Sequence, residues 1–170
     1  LIATGKSDVT LNEQSDPKVS LLQDAIDEVC LELSHAIVRD GEGATKFVSV
    51  TIDRGNSISQ CLDIAYDIAT SPLVKTALFA CDPNWGRIIA ATGRSRMGQI
   101  DPAKISIFLN KLCVIEKGEK SKSYTEVAGQ NEMAKPEIMI RVDLDTGICS
   151  ETVWTCDFSH DYVTINAEYR

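Results

Sequence analysis

Arg39 to Lys46, reading RDGEGATK, is the segment richest in groups that could do chemistry, with a carboxylate at Glu42 set between two glycines. A glycine-rich run suggests a phosphate loop, but the spacing G-x-x-x-x-G-K-[ST] is not met, and these glycines follow a helical pattern instead of opening one. The C-terminal end of a helix carries about half a negative charge, so it repels phosphate and attracts ammonium. Glu42 adds to that bias. Its type and position admit two readings, an amine-binding carboxylate and a solvated turn acid. The second candidate is Asn166, in the closing run DYVTINAEYR. There Val163, Ile165 and Ala167 alternate with Thr164, Asn166 and Glu168, which predicts a strand with Asn166 on its polar face. A buried amide costs about 1–3 kcal/mol unless it is bonded, and backbone and ligand are both open as its partner.

Other chemistry-bearing residues are less telling. His35 and His160 are the only imidazoles, and two make a poor metal site. His160 has Asp161 beside it and Cys156 four residues earlier, but a catalytic triad is defined by geometry, and strand neighbours point to opposite faces. Asp24, Asp27 and Glu28 fall on the polar side of a helical stripe and read as a solvated face. The six cysteines lack any C-x-x-C pair, so they read as reduced, mostly buried thiols, not as a zinc or redox centre. No metal site is expected. In FACDPNWGRI, Phe79 to Ile88, Pro83 fixes the backbone, Gly86 lets Trp85 pack closely and Arg87 can pair with a carboxylate such as Asp82. Trp85 and Trp154 read as core or interface packing.

The elements that must position these groups follow from periodicity. Leu22, Ile26, Val29, Leu33 and Ile37 lay an apolar stripe along a helix over Ser20–Arg39, with Ser20 and Gln23 as a capping box and Gly41 as a left-handed stop. KFVSVTID is a strand by alternation and β-branching. Ser57 and Gln60 cap a second helix that runs until Pro72 forbids more. WGRIIAATGR forms a short helix ending near Gly93, and ISIFLNKLCVIEKGE folds as a hairpin about Asn110 and Lys111. Tyr124 to Ala134 is weakly helical, and the alternation on both sides of Asp145-Thr146-Gly147 predicts another hairpin. LIAT at the start reads as a strand. The fold class is α+β, with mixed sheets packed against helices.

Hydrophobic residues at 44% and charged residues at 25% are the balance of a globular protein. A formal charge of −8 repels polyanions, and the densest basic run, KGEKSK, is diluted by Glu119, so neither nucleic acid nor an anionic membrane is an expected partner. No N-x-[ST] sequon and no apolar run near 18 residues is present. The expected location is the cytoplasm or an organelle interior.

Three segments, VRDGEGATKFV, SPLVKTALFACDPNWGRIIAATGR and WTCDFSHDYVTINAEYR, together resemble the C-terminal part of the glutamate N-acetyltransferase/ornithine acetyltransferase family of arginine biosynthesis. The resemblance implies a precursor that cuts itself before a threonine, which becomes the nucleophile at the start of a β chain. That threonine takes acetyl from N-acetylornithine and passes it to glutamate, with an oxyanion hole on the α chain. Bifunctional members also accept acetyl-CoA, and no other cofactor is implied. The family's substrate-binding Glu and Asn fall on Glu42 and Asn166. The self-cleavage motif has no counterpart here, and Thr4 and Thr10 are not substitutes, since neither is N-terminal. The 170 residues are therefore expected to be a C-terminal fragment with no catalytic residue of its own. Expected partners are the small-molecule substrates, the α chain and the rest of the β chain, in a dimer of αβ pairs. Residues 1–72 are expected to be a partial α/β layer of the self-processing core, 73–159 a smaller α+β module, and 160–170 a terminal strand returning to the core. Two alternatives stay open: an amino-acid-binding module without chemistry, and a related self-processing aminopeptidase.

Overall fold

The computed structural model describes residues 4–8, 11, 16–95 and 100–168, so most of the LIAT run, Thr10 and the last two residues lie outside the described residues. The chain divides into two compact units, Leu1–Ile37 and Val38–Arg170. Helix α1 (Pro17–Arg39) accounts for most of the first. It starts earlier than the Ser20 capping box predicts, because the Asp16 carboxylate accepts from Lys18 N at 2.9 Å and Pro17 occupies the opening position, where its missing N–H costs nothing. Gln23 donates to Asp27 one turn on, at 2.7 Å. No residue of α1 is buried, and Leu22, Val29, Leu33 and Ile37 leave the apolar stripe exposed. An open apolar groove of about 250 Å³ runs along it, lined by Ala25, Ile26, Val29, Cys30 and Leu33. No helix among the described residues is long and apolar enough to cross a membrane.

The second unit is built on β1 (Phe47–Gly55). Its Val48, Val50 and Ile52 are fully buried, while Phe47, Ser49 and Thr51 between them are only half-buried, the period of a strand with one face on the core. β1 is paired on both edges: parallel to β5 (Glu137–Asp143) and antiparallel to β6 (Cys149–Cys156). Beyond β5 come β2 (Ser106–Leu109), β3 (Leu112–Glu116) and the short β4 (Glu119–Lys120), giving one mixed six-stranded sheet in the order β4-β3-β2-β5-β1-β6. β2 and β3 form the expected hairpin, with Asn110 at φ 53° in its turn. One sheet face buries Ile138, Ile140, Val142, Ile107 and Leu109 in a core shared with Cys61, Ile64, Ala65 and Ile68 of α2 (Ile58–Ala69). Each such fully buried aliphatic side chain contributes about 1.5–3 kcal/mol. The class is thus α+β, as the sequence predicts. The sheet joins strands from both sides of Leu73.

Ser57 caps α2 as expected, accepting from Gln60 N at 3.1 Å. Pro72 does end that helical stretch, but it also opens α3 (Pro72–Phe79), with Ser71 as cap. α4 (Trp85–Thr92), a 3₁₀ turn at Pro102–Lys104 and α5 (Glu126–Met133) complete the helical layer.

Two expectations are corrected. The alternating segments about Asp145 do not pair with each other, because β1 lies between them. The backbone donors of the connection are spent on the end of β1 instead. Leu144 N bonds Asp53 O at 3.0 Å, and Thr146 N and Gly147 N both bond Arg54 O, at 2.9 and 2.8 Å. Arg54 then clamps the crossing, with Nε and Nη2 on the Asp143 carboxylate and Nη1 on Asp145. Asp145, not Gly147, takes positive φ. Gly147 is required for a different reason, since a Cβ there would lie 2.2 Å from Gly55 O. The second correction is the closing run, which is helix α6 (His160–Ala167) and not a strand. Ser159 accepts from Tyr162 N at 3.3 Å, and Asp161 stands in the positively charged first turn. None of its side chains is buried, so the alternation that suggested a core strand has no core to face.

Gly147→Ala is expected to lower the unfolding free energy by about 1–3 kcal/mol, as overpacking does. Gly86→Ala is expected to raise it by about 0.4–1 kcal/mol, because the new Cβ meets only Asn84 Oδ1, at 3.4 Å, on a helical backbone. Urea midpoints of the two variants measure both shifts. Equal midpoints would contradict the account of the crossing.

Candidate functional site

Glu42 lies in the turn that follows α1, and two connections fix that turn from the far end of the chain. Asp157, 3% exposed, accepts from Thr45 N at 2.7 Å, from Thr45 Oγ1 and from Lys46 N at 3.0 Å. Gly43 takes φ +66°, and a Cβ on it would meet Ser159 Oγ at 2.7 Å and Tyr162 N at 2.8 Å. The first turn of α6 therefore rests on a glycine that no other residue replaces without strain. The left-handed residue is Gly43, not Gly41, whose place is constrained by Cys156 Sγ at 3.2 Å from a would-be Cβ.

With α6 seated there, Asn166 comes round two turns later beside the turn. Its Nδ2 donates to Glu42 Oε2 at 2.7 Å and to Tyr162 O at 2.9 Å. Both sequence candidates are thus brought together across 124 positions of sequence. Both are exposed, so Asn166 is not the buried strand amide expected, and its partner is a carboxylate as well as backbone. A carboxylate and a carbonyl can only accept, which fixes the amide orientation and uses both N–H groups. Asn166 Oδ1 is left as an acceptor. Glu42 takes part in none of the ion pairs among the described residues. Next along the chain is a polar recess of about 230 Å³, lined by Arg39, Thr45, Phe47, Pro136 and Glu137 among others. Across it Arg39 pairs with Glu137 at 2.8 Å and lies over the Phe47 ring.

The residues that sequence reading missed are the ones beneath this surface. Lys46, 8% exposed, has its ammonium on Leu78 O, on Met133 O at 2.7 Å and on Cys81 Sγ at 3.1 Å. The two carbonyls belong to the last turns of α3 and α5, where helix dipoles favour a cation. Asp157 carries no local signal, because its partners are more than a hundred positions away.

DPNWGR proves to be a junction of helices. Asn84 Oδ1 caps α4 by accepting from Arg87 N at 3.3 Å. Arg87 does not pair with Asp82: its Nη1 reaches back to Leu73 O at 2.7 Å and Thr76 Oγ1 at 3.2 Å, stapling α4 to α3. Asp82 instead accepts from Asn84 Nδ2, at 3.1 Å. Pro83 packs on α5, where a Cβ at Gly129 would approach its ring carbons at 2.8 Å. That contact, and not Trp85, is where this region needs a glycine. Nearby, Tyr124 donates to Glu126 at 3.0 Å. Burial, that hydrogen bond and the Asp82 charge push its phenol up to about 12.

The remaining candidates stay apart. His160 opens α6 and meets Phe79 edge-on, with ring centroids 5.5 Å apart, and His35 lies on α1. Asp24, Asp27 and Glu28 are exposed on α1. Trp85 packs against the core, and Trp154 is half-buried on β6. All six cysteines are free, with one buried, four half-buried and one exposed. Among the described residues no cluster of His, Cys, Asp and Glu could hold a metal ion.

The ArgJ family model matches residues 1–170. The chain is 51% identical over its whole length to the arginine biosynthesis bifunctional protein ArgJ of Pseudomonas fluorescens and 52% to that of Pseudomonas syringae pv. tomato. It spans 42% of the length of each of these relatives. The crystal structure of the arginine biosynthesis bifunctional protein of Bacillus halodurans superposes with a TM-score of 0.90 at 31% identity, over 98% of this chain and 78% of that one.

Asp157→Ala is expected to cost about 2–4 kcal/mol, since a buried charged acceptor of three hydrogen bonds is lost. The amides of Thr45 and Lys46 should then exchange hydrogen faster than those of β1. Unchanged protection at those two amides would show that Asp157 does not hold the turn.

Proposed function

The chain belongs to the ArgJ family, and we propose that it supplies the amine-gripping part of an acetyltransferase of arginine biosynthesis, with Glu42 and Asn166 as substrate contacts. The observation that carries this reading is the hydrogen bond between the two side chains, both exposed, at the end of a helix. A ligand ammonium placed there has two acceptors at once, the Glu42 carboxylate and Asn166 Oδ1. It also meets the negative end of α1. A carboxylate held by an amide has fewer orientations to lose on binding, which favours affinity.

The reaction proposed for the complete protein moves acetyl from N-acetylornithine to glutamate through an acyl-threonine. The chain spans 42% of its relatives' length, and the nucleophile and oxyanion donors are assigned to segments outside these residues. Glu42 and Asn166 then act by position. By anchoring the amino end they fix where the acetamide carbonyl falls, so that attack is intramolecular in effect. Glutamate as acceptor has to place its α-amino group where the acetamide nitrogen of the donor lay, and removal of its proton by a base elsewhere makes it the second nucleophile.

Glu42→Gln and Asn166→Ala in the complete protein test this. Each should lower kcat/KM for acetyl exchange between N-acetylornithine and glutamate about 10- to 100-fold, the kinetic equivalent of losing a hydrogen bond to a charged group. Self-processing into two chains should be unaffected. Wild-type kcat/KM in a correctly processed Glu42→Gln protein would remove Glu42 from the site, and a complete wild-type protein with no exchange activity would remove the proposed reaction.

A further inference from the structure

Lys46 is a buried cation with no carboxylate partner among the ion pairs of the described residues. Its Nζ is held in place by the carbonyls of Leu78 and Met133 and lies 3.1 Å from Cys81 Sγ. Cys81 is free and half-buried, whereas Lys46 is buried. It sits directly after α3 with φ +53°, at the head of the DPNWGR junction. Neither carbonyl can be oxidised or acylated, and the thiol is the one reactive group the amine touches. A second lysine–cysteine approach, Lys75 Nζ to Cys156 Sγ, is longer at 3.7 Å, and there Thr155 Oγ1 takes the ammonium at 3.0 Å.

We propose that Lys46 and Cys81 are a modification site, a pair that a peroxide converts into a covalent sulfenamide cross-link. In the first step the Cys81 sulfur attacks hydrogen peroxide. The O–O bond breaks, an S–O bond forms, one water leaves and the sulfur loses two electrons, giving the sulfenic acid. In the second the Lys46 ammonium gives a proton to solvent, and the neutral amine attacks Sγ. An S–N bond forms, the S–O bond breaks, and the hydroxyl leaves with a second nitrogen proton as water. No further oxidant is needed, and the net change is the loss of two hydrogens from the protein. A thiol reverses it by attacking Sγ and releasing the amine.

The cross-link removes the positive charge from between two helix ends and leaves one N–H where the ammonium had three. It also ties the segment just after the Glu42 turn to the end of α3. The pair therefore links oxidant exposure to the scaffold beneath the exposed site, whatever that site binds.

The test is peptide mapping of the purified protein after brief treatment with hydrogen peroxide and trypsin. Trypsin cannot cut after a modified Lys46, so the expected product is Asp40–Arg54 joined to Thr76–Arg87, two hydrogens lighter than the sum of the two peptides and separated by dithiothreitol. Cys156→Ser should keep that product and Cys81→Ser should lose it. Lys46→Arg, which retains a cation for the two carbonyls, should give a Cys81 sulfenic acid that dimedone traps. The proposal is overturned if wild-type Cys81 is itself trapped by dimedone or carried to the sulfinic acid while trypsin still cuts after Lys46. It is equally overturned if the joined peptides persist in Cys81→Ser.

Discussion

A buried carboxylate near the end of the described residues organises a turn more than a hundred positions earlier. Asp157 takes three donors from Thr45 and Lys46, and this aligns two segments that share no local sequence logic. Everything at the exposed surface depends on that alignment. Once Thr45 and Lys46 are fixed at the start of β1, Gly43 falls under the first turn of α6, and its missing Cβ sets how closely the helix can approach. Asn166, two turns along, then has one place to go, and Glu42 is there. Asp157 is in none of the ion pairs among the described residues, and the cost of its burial is offset by hydrogen bonds to its charged form, each worth about 1.5–3 kcal/mol. On the other side of the same segment Lys46 solves the mirror problem, a buried ammonium satisfied by carbonyls at two helix ends.

The surface pair and its scaffold therefore divide the labour by solvent exposure. Asp157 and Lys46 are buried and fully engaged, which makes them rigid and unavailable to ligand. Glu42 and Asn166 are exposed and hold each other by a single hydrogen bond, which an arriving amine can supplement without breaking, since Asn166 Oδ1 and the second Glu42 oxygen remain acceptors. DPNWGR serves the scaffold in the same way. Its Asn84 cap, the Arg87 staple to α3 and the Pro83–Gly129 contact hold α3, α4 and α5 at the angles that bring Leu78 O and Met133 O to one lysine.

Much of this was legible where the physics is local. The β1 alternation, the Ser57 cap and the β2–β3 hairpin all depend on neighbours within a few positions, and they fold as their residue types predict. The misreadings share a cause, which is long-range competition. Asp145-Thr146-Gly147 has good turn chemistry, but the donors of that turn bind Arg54 O, and β1 enters between the strands it joins. The period-two pattern of 161–168 is genuine, yet Ser159 and Gly43 commit the segment to a helix whose side chains stay outside. Arg87 finds a carbonyl on the neighbouring helix, while the Asp82 carboxylate expected as its partner accepts from Asn84. Glu42 and Asn166 were found by residue type and family resemblance. What no local pattern could show was that they touch, because that contact is made by Asp157 and Gly43.

The central claim is that an ammonium sits between the Glu42 carboxylate and Asn166 Oδ1. A crystal structure of the complete protein with ornithine bound tests it most directly. The account predicts one amino nitrogen of the ligand within hydrogen-bond range, about 2.7–3.2 Å, of both acceptors, with Asn166 Nδ2 still on Glu42 and Tyr162. Ornithine held elsewhere, with the Glu42–Asn166 pair facing only water, would contradict it.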